Sequence, residues 1–109
     1  MKVKYRVKSH QDFQKVIHDN KRVSNYNFVI YFKSNEVGHA RVGISTSKKL
    51  GNAVVRSTIR RQVRVMARDA FDFEKNKDYV LIARKGYLDN GYQENYESLK
   101  KLINKIKED

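Results

Sequence analysis

The sequence predicts an α+β protein folded as a two-layer α/β sandwich with a mixed sheet, and three observations carry that expectation. Apolar residues alternate with a period of two over Tyr26–Lys33 and resume over Ala40–Thr46, with a compact apolar run at Asp78–Arg84. They recur at helical spacing in three other stretches, giving the order helix, strand, strand, helix, strand, helix. A long helix between the second and third strands is the kind of connection a parallel pair requires. At 109 residues, with no Pro, no repeat and no low-complexity linker, residues 1–109 are expected to form one domain.

In chain order, Val3, Tyr5 and Val7 alternate with Lys4 and Arg6, which suggests a short N-terminal strand over Lys2–Val7. Ser9 followed by Asp12 resembles a capping box with Asp in place of Glu, and Phe13, Val16 and Ile17 continue at helical spacing, so a helix is expected from about Ser9 to Asn20. In Tyr26–Lys33 one face carries Tyr26, Phe28, Ile30 and Phe32 and the other Asn27, Val29, Tyr31 and Lys33. Asn35–Gly38 has the residues of a hairpin connection, so this strand is expected to pair antiparallel with Ala40–Thr46. Gly51 and Asn52 read as a loop glycine and an N-cap, opening a helix of about twenty residues that ends near Phe71. Asp78–Arg84 reads as a buried strand, Gly86–Gly91 as a connection, and Tyr92, Tyr96, Leu99, Ile103 and Ile106 as a last amphipathic helix.

Charge is distributed unevenly along this framework. Residues 1–68 hold 16 Lys and Arg against 3 acids, while residues 69–109 hold 8 against 9, so nearly all of the formal +12 lies in the first two thirds. From Val37 to Arg68 there is no Asp or Glu, yet Arg41, Lys48, Lys49, Arg56, Arg60, Arg61, Arg64 and Arg68 all occur there. Self-repulsion of this kind makes sense if a polyanion neutralises it, and the preference for Arg suits phosphate, whose oxygens match the guanidinium fork. A solvated charged face is the plain alternative.

At about 100° per residue, Arg56, Arg60, Arg61, Arg64 and Arg68 fall within an arc of about 140°, while Val55, Ile59, Val63, Met66 and Ala70 occupy a separate arc of about 80°. One face then packs on the sheet and its neighbour is a rail of guanidinium groups. Like charges four residues apart cost a few tenths of a kcal/mol in an isolated helix, so folding alone does not favour the arrangement. No acid complements the positive end of the helix dipole either, and a phosphate near Lys48, Lys49, Gly51 and Asn52 would supply that missing charge.

Other classes are disfavoured. No apolar run approaches the roughly 20 residues of a membrane span and the start of the chain lacks the apolar core of a secretory signal, so a cytoplasmic protein is expected. Zero Cys excludes disulfides and thiolate zinc sites, and His10, His18 and His39 are spaced as no metal motif requires. No Ser-His-Asp set, Cys-His set or paired carboxylate centre is evident, so any chemistry must come from a partner.

The stretch Ser45-Thr46-Ser47-Lys48-Lys49-Leu50-Gly51-Asn52-Ala53-Val54, followed by Arg56-Ser57-Thr58-Ile59-Arg60-Arg61-Gln62-Val63-Arg64, strongly resembles the signature of the bacterial ribonuclease P protein subunit. That family has Ser-x-Ser-Lys-Lys-x-Gly-Asn-Ala-Val and then Arg-Asn-x-x-Lys-Arg-x-x-Arg, in this order and register. Asp12–Val16, Phe28–Tyr31 and Asp78–Arg84 also look like the family's first helix, first long strand and last strand. Three departures stand out: Ser57 in place of Asn, Arg60 in place of Lys, and Val65 where an acid or polar residue is common.

The resemblance implies a fold similar to the second domain of ribosomal protein S5, with a left-handed βαβ crossover that no sequence rule would have predicted. It implies a non-catalytic protein: a large RNA hydrolyses precursor tRNA with Mg²⁺, releasing the 5′ leader, and the protein assists in a complex expected to be 1:1 with a monomeric protein. No Mg²⁺ site built by protein alone is expected. Carried over by matching position, Arg56, Arg60, Arg61 and Arg64 would dock on the ribonuclease P RNA, with Lys48, Lys49, Asn52 and Arg68 in support. Phe13, Ile17 and Tyr31 would hold the single-stranded leader, the two rings by stacking and Ile17 by apolar contact. A ribosomal or RNA-chaperone module fits the charge equally well but not the signature. A DNA-binding regulator is weakened by the lack of a helix and tight turn ahead of the Arg-rich helix.

Overall fold

A computed structural model describes residues 1–106 of the chain. Three helices, α1 (His10–His18), α2 (Ala53–Ala70) and α3 (Tyr92–Ile103), accompany four strands, β1 (Arg22–Ser24), β2 (Phe28–Ser34), β3 (Arg41–Thr46) and β4 (Lys77–Ala83). The strands form one sheet in the order β1-β2-β4-β3, with β1–β2 and β2–β4 antiparallel and β3–β4 parallel. The mixed sheet and the β3–α2–β4 crossover agree with the reading of the sequence.

The expected hairpin does not form, because β4 inserts between β2 and β3. The composition of β4 explains why. Tyr79, Val80, Leu81 and Ala83 are all buried, so the strand is apolar on both faces and belongs inside the sheet. The loop that was expected to close the hairpin turns elsewhere: Asn35 N–H donates to the Asn76 carbonyl and Ala40 N–H to the Phe73 carbonyl, both at 2.9 Å. Gly38 adopts φ 94° within it, a left-handed conformation that glycine tolerates best.

Two further expectations are corrected at the amino end of the sheet, and one strand there was not anticipated. Val3–Tyr5 is a 3₁₀ turn, with only Arg6 bridging Val42 in parallel, so Lys2–Val7 is not a regular strand. β1 has three residues, too few for alternation to reveal it. Tyr26 lies outside β2 and is 64% exposed. The cause is Asn25, whose side-chain oxygen accepts the N–H groups of Asn27 and Phe28 at 2.9 and 2.8 Å and so starts β2 two residues late.

From Phe28 onward the alternation holds. Phe28, Ile30, Leu81, Ala83, Tyr79 and Val42 face Ile59, Val63, Met66 and Ala67 of α2 and Leu99 and Leu102 of α3 in one core. Val55 is 38% exposed, so the buried stripe of α2 is shifted toward Ala67 from the expected arc. The sheet and these two helices make the two-layer sandwich. The opposite face is partly covered by α1, which touches β2 and β4 and buries Val16. Its Phe13 ring lies against Gly43, where a Cβ would stand 2.5 Å from the ring; only glycine leaves room for it.

Candidate nucleic-acid interface

The approach to α2 is built from local bonds. Ser47 Oγ accepts the Lys49 N–H at 3.2 Å in a short 3₁₀ turn, Gly51 takes φ 142°, and Asn52 caps α2 by accepting the Val55 N–H at 3.0 Å. Lys48 and Lys49 are consequently exposed at the entrance to the helix, while Asn52 spends its carbonyl oxygen on the cap. The first turn of α2 holds no acid. The positive end of its dipole therefore adds to the field of both lysines.

Along α2 the five arginines grade from half-buried (Arg56, Arg60 and Arg64) to exposed (Arg61 and Arg68). Two of them meet hydroxyls rather than acids. Arg60 Nη1 reaches Thr46 Oγ1 at 3.4 Å and Arg61 Nη2 reaches Thr58 Oγ1 at 3.3 Å. Arg68 lies 3.7 Å from Asp69 with both side chains more than half exposed, a loose pair of little energetic weight. Among the described residues Arg56, Arg60, Arg61 and Arg64 have no carboxylate partner, and the shielded Nε of Arg56 has no hydrogen bond at all.

Arg41, from the same acid-free run, behaves differently. It makes a forked contact with the buried Asp78, Nε to Oδ1 at 2.9 Å and Nη2 to Oδ2 at 2.7 Å, and Asn35 donates to the same carboxylate at 2.8 Å. The hydrogen bond to Asp78 raises the Arg41 pKa further above its already high ordinary value. This arginine is internally neutralised, so it is structural and does not belong to the rail.

On the opposite sheet face an open groove of about 370 Å³ runs between α1 and the sheet. Phe13, Ile17 and Ile82 give it apolar surface over the buried Val80, and the exposed Lys8 and His10 adjoin them. Of the three residues carried over to the leader, Phe13 and Ile17 line this groove. Tyr31 does not: it faces the same side, paired with Val80 in the sheet, but lies under the Arg22 guanidinium, 5.8 Å from the ring centroid. A smaller groove of about 240 Å³ brings Arg60 and Arg64 together with Arg6, Phe13 and Ile44. Phe13 and Ile44 line both, so the rail and the apolar groove meet around β3.

Sequence reasoning missed Lys8, His10, Val80 and Ile82. The alternation within Asp78–Arg84 held a signal, since Val80 and Ile82 fall on the face opposite Leu81, but nothing local says that α1 leaves part of that face open. A larger groove, about 520 Å³ along α3, pairs Lys101 and Lys105 with Glu94 and Glu97, a mixed lining unsuited to a polyanion.

Residues 1–107 match the family described as Ribonuclease P. The ribonuclease P protein component of Streptococcus agalactiae serotype III is 50% identical over 93 residues, 85% of each chain. This chain belongs to the ribonuclease P protein family. Its relative from Streptococcus thermophilus is 42% identical over 99 residues, 91% of this chain and 89% of that one. Among solved structures, the Staphylococcus aureus RNase P protein superposes with a TM-score of 0.80 at 36% identity, covering 92% of this chain and 93% of that chain. The RNase P protein from Thermotoga maritima gives 0.81 at 27%, covering 94% and 98%. A ribonuclease P protein component is a subunit of an endoribonuclease complex, acts in tRNA processing and partners the ribonuclease P RNA. No helix among the described residues is long and apolar enough to cross a membrane.

Proposed function

We propose that this ribonuclease P protein docks on the catalytic RNA through Arg56, Arg60, Arg61 and Arg64, supported by Lys48, Lys49, Asn52 and Arg68, and holds the 5′ leader of precursor tRNA in the α1 groove. The observation that carries the reading is a row of four guanidiniums with no internal counter-charge, continuous around β3 with an apolar groove. Phosphate oxygens would neutralise the row. In the groove, Phe13 offers a ring face and Ile17 apolar contact to an unstacked base, Lys8 stands ready for the intervening phosphate, and Tyr31 adds a more distant stacking surface along the sheet.

The protein on this reading breaks no bond. The RNA carries out hydrolysis at the junction between leader and tRNA, and the mature tRNA 5′ end results. Mg²⁺ enters with the RNA and substrate, whose phosphates are hard oxygen ligands; among the described residues no three His, Asp or Glu side chains come together to hold it. The chain's contribution is electrostatic and positional: it lowers repulsion between two RNAs and adds affinity for the one that still has a leader. A cytoplasmic location and a 1:1 complex with a monomeric protein complete the proposal.

Reconstitution with a bacterial ribonuclease P RNA tests it. The expected result is restored cleavage of precursor tRNA at Mg²⁺ concentrations where the RNA alone is inactive, and stronger binding of precursor than of mature tRNA. Failure of both would reject the assignment in favour of a general RNA-binding module, and strong preference for a duplex DNA site would point to a regulator.

A further inference from the structure

The ends of β3 and β4 lie side by side, since Thr46 pairs with Ala83 and the Ser47 N–H donates to the Ala83 carbonyl at 3.3 Å. Lys48 and Lys49, just beyond β3, therefore share one end of the sheet with Arg84 and Lys85, just beyond β4. All four are exposed, and among the described residues none pairs with a carboxylate. Arg84 is also anchored: its N–H donates to the Asn27 carbonyl and its Nη1 to the Asn25 carbonyl, both at 2.8 Å.

Between those two asparagines stands Tyr26, the most exposed aromatic residue described, at 64%. An exposed ring is ordinarily free to turn, yet this one is held from two directions. Its hydroxyl donates to the Asp89 carboxylate. Its ring and backbone press on Gly86, where a Cβ would stand 2.4 Å from Tyr26 Cδ2 and 2.4 Å from the Tyr26 carbonyl oxygen. The supporting loop is fixed as well, with Asn27 Nδ2 donating to the buried Asn95 at 2.8 Å and Asn25 Nδ2 to Ser98 Oγ at 2.9 Å. So much fixation around a ring that buries little surface adds little to the core, but it removes the entropic cost of stacking something on that ring.

We propose that Tyr26 is a stacking platform for an unpaired base of the ribonuclease P RNA, with the flanking phosphates met by Arg84 and Lys85 on one side and Lys48 and Lys49 on the other. This rests on the reading of α2 as the RNA-docking helix. The same reading chooses the catalytic RNA over the leader, because Lys48 and Lys49 run directly into α2 while the leader groove lies against α1. Asp89 is the acid nearest the platform, and its carboxylate is engaged by the phenol.

The chain has no Trp, so Tyr26→Trp introduces a single indole at the platform. Adding the ribonuclease P RNA should quench its emission and shield it from acrylamide, while Tyr92→Trp, outside the platform, should respond weakly. In binding assays Tyr26→Ala should weaken the RNA complex about tenfold without changing the salt slope, Tyr26→Phe should lose less than Tyr26→Ala because the ring stays while the Asp89 hold goes, and Arg84→Ala with Lys85→Ala should flatten the slope. Parent-like binding by Tyr26→Ala, alongside weakened binding by Arg60→Ala with Arg61→Ala, would overturn the platform and leave the rail intact. Parent-like binding by both would bring down the rail itself. If Tyr26→Ala fails to fold, the indole decides: no quenching, or quenching by precursor tRNA and not by the ribonuclease P RNA, overturns the proposal.

Discussion

α3 begins with Glu94 bonded back to the Gly91 N–H at 3.0 Å, places Lys100 3.0 Å from Glu97, and carries Lys100 and Lys101 in its last turn. α2, packed beside it on the same sheet face, begins with no acid and carries Arg56, Arg60, Arg61 and Arg64 without a carboxylate partner. Both helices bury apolar residues in one core, so packing requires neither pattern. One helix complements its own dipole and charges; the other does not, and on the proposed reading an RNA supplies the missing counter-charge. Charge that a helix does not compensate is therefore a better guide to a partner than charge alone, and Arg41, neutralised by Asp78, is the counter-example within the same acid-free run.

The strongest way to break this comparison is to truncate each helix's charges in turn. Arg60→Ala with Arg61→Ala should weaken binding to the ribonuclease P RNA by at least about tenfold and make the salt slope shallower by roughly 1.5, since each lost phosphate contact removes about 0.7 to 0.9. Glu97→Gln with Lys100→Gln, measured in the same assay, should leave both unchanged. Next in size is Gly43→Ala. A methyl group 2.5 Å from the Phe13 ring must displace α1, costing about 1–3 kcal/mol in thermal or denaturant unfolding and reducing the preference for precursor over mature tRNA.

Tyr31→Ala should also reduce that preference, but by less than Phe13→Ala, because Tyr31 lies beside the groove under Arg22. Equal losses with the two tRNAs would remove Tyr31 from the leader's path. A smaller effect is expected where α2 meets the segment leading into α3. Tyr87 donates to Gln62 Oε1 at 2.8 Å, and Tyr87→Phe should cost about 1 kcal/mol of stability with RNA affinity retained. Burial, followed by the nearby Tyr92 phenol, pushes the Tyr87 phenol up to about 12 from 10.0. The folded state thus holds this proton more tightly than the unfolded chain does, so the contribution is complete below pH 10 and is lost as pH rises toward 12. Unfolding curves across that window should be flatter for Tyr87→Phe. The smallest change sharpens the comparison most directly: Val54→Glu, at an exposed position in the first turn of α2, should stabilise the fold by about 0.3–1 kcal/mol while weakening RNA binding.

Local periodicity made much of this molecule legible. α1, α2, α3, β2 and β4 lie close to where apolar spacing and capping residues put them, with Ser9 and Asn52 both acting as N-caps. Strand order was not legible in the same way, because a turn-like sequence such as Asn35–Gly38 cannot report that its backbone bonds go to residues 73–76. The composition of β4, apolar on both faces, was the available signal for an interior strand. Tyr26 shows a different limit: period two assigned it to the core, and a single Asn25 side chain overrode that by taking two backbone donors. Of the candidate site, the arginine rail follows from the helical wheel, whereas the groove exists only because α1 covers part of the sheet face and leaves Ile82 open beside Ile17, a tertiary outcome. The handedness of the crossover came from family resemblance alone.

Phe13 and Ile44 belong to two grooves at once. If one groove serves the ribozyme and the other its substrate, the partition separating them is a single strand thick. Alterations at either residue should then disturb both ligands together, and a double-mutant cycle between Phe13 and Arg64 should reveal coupling where a pair of independent binding surfaces would give simple additivity.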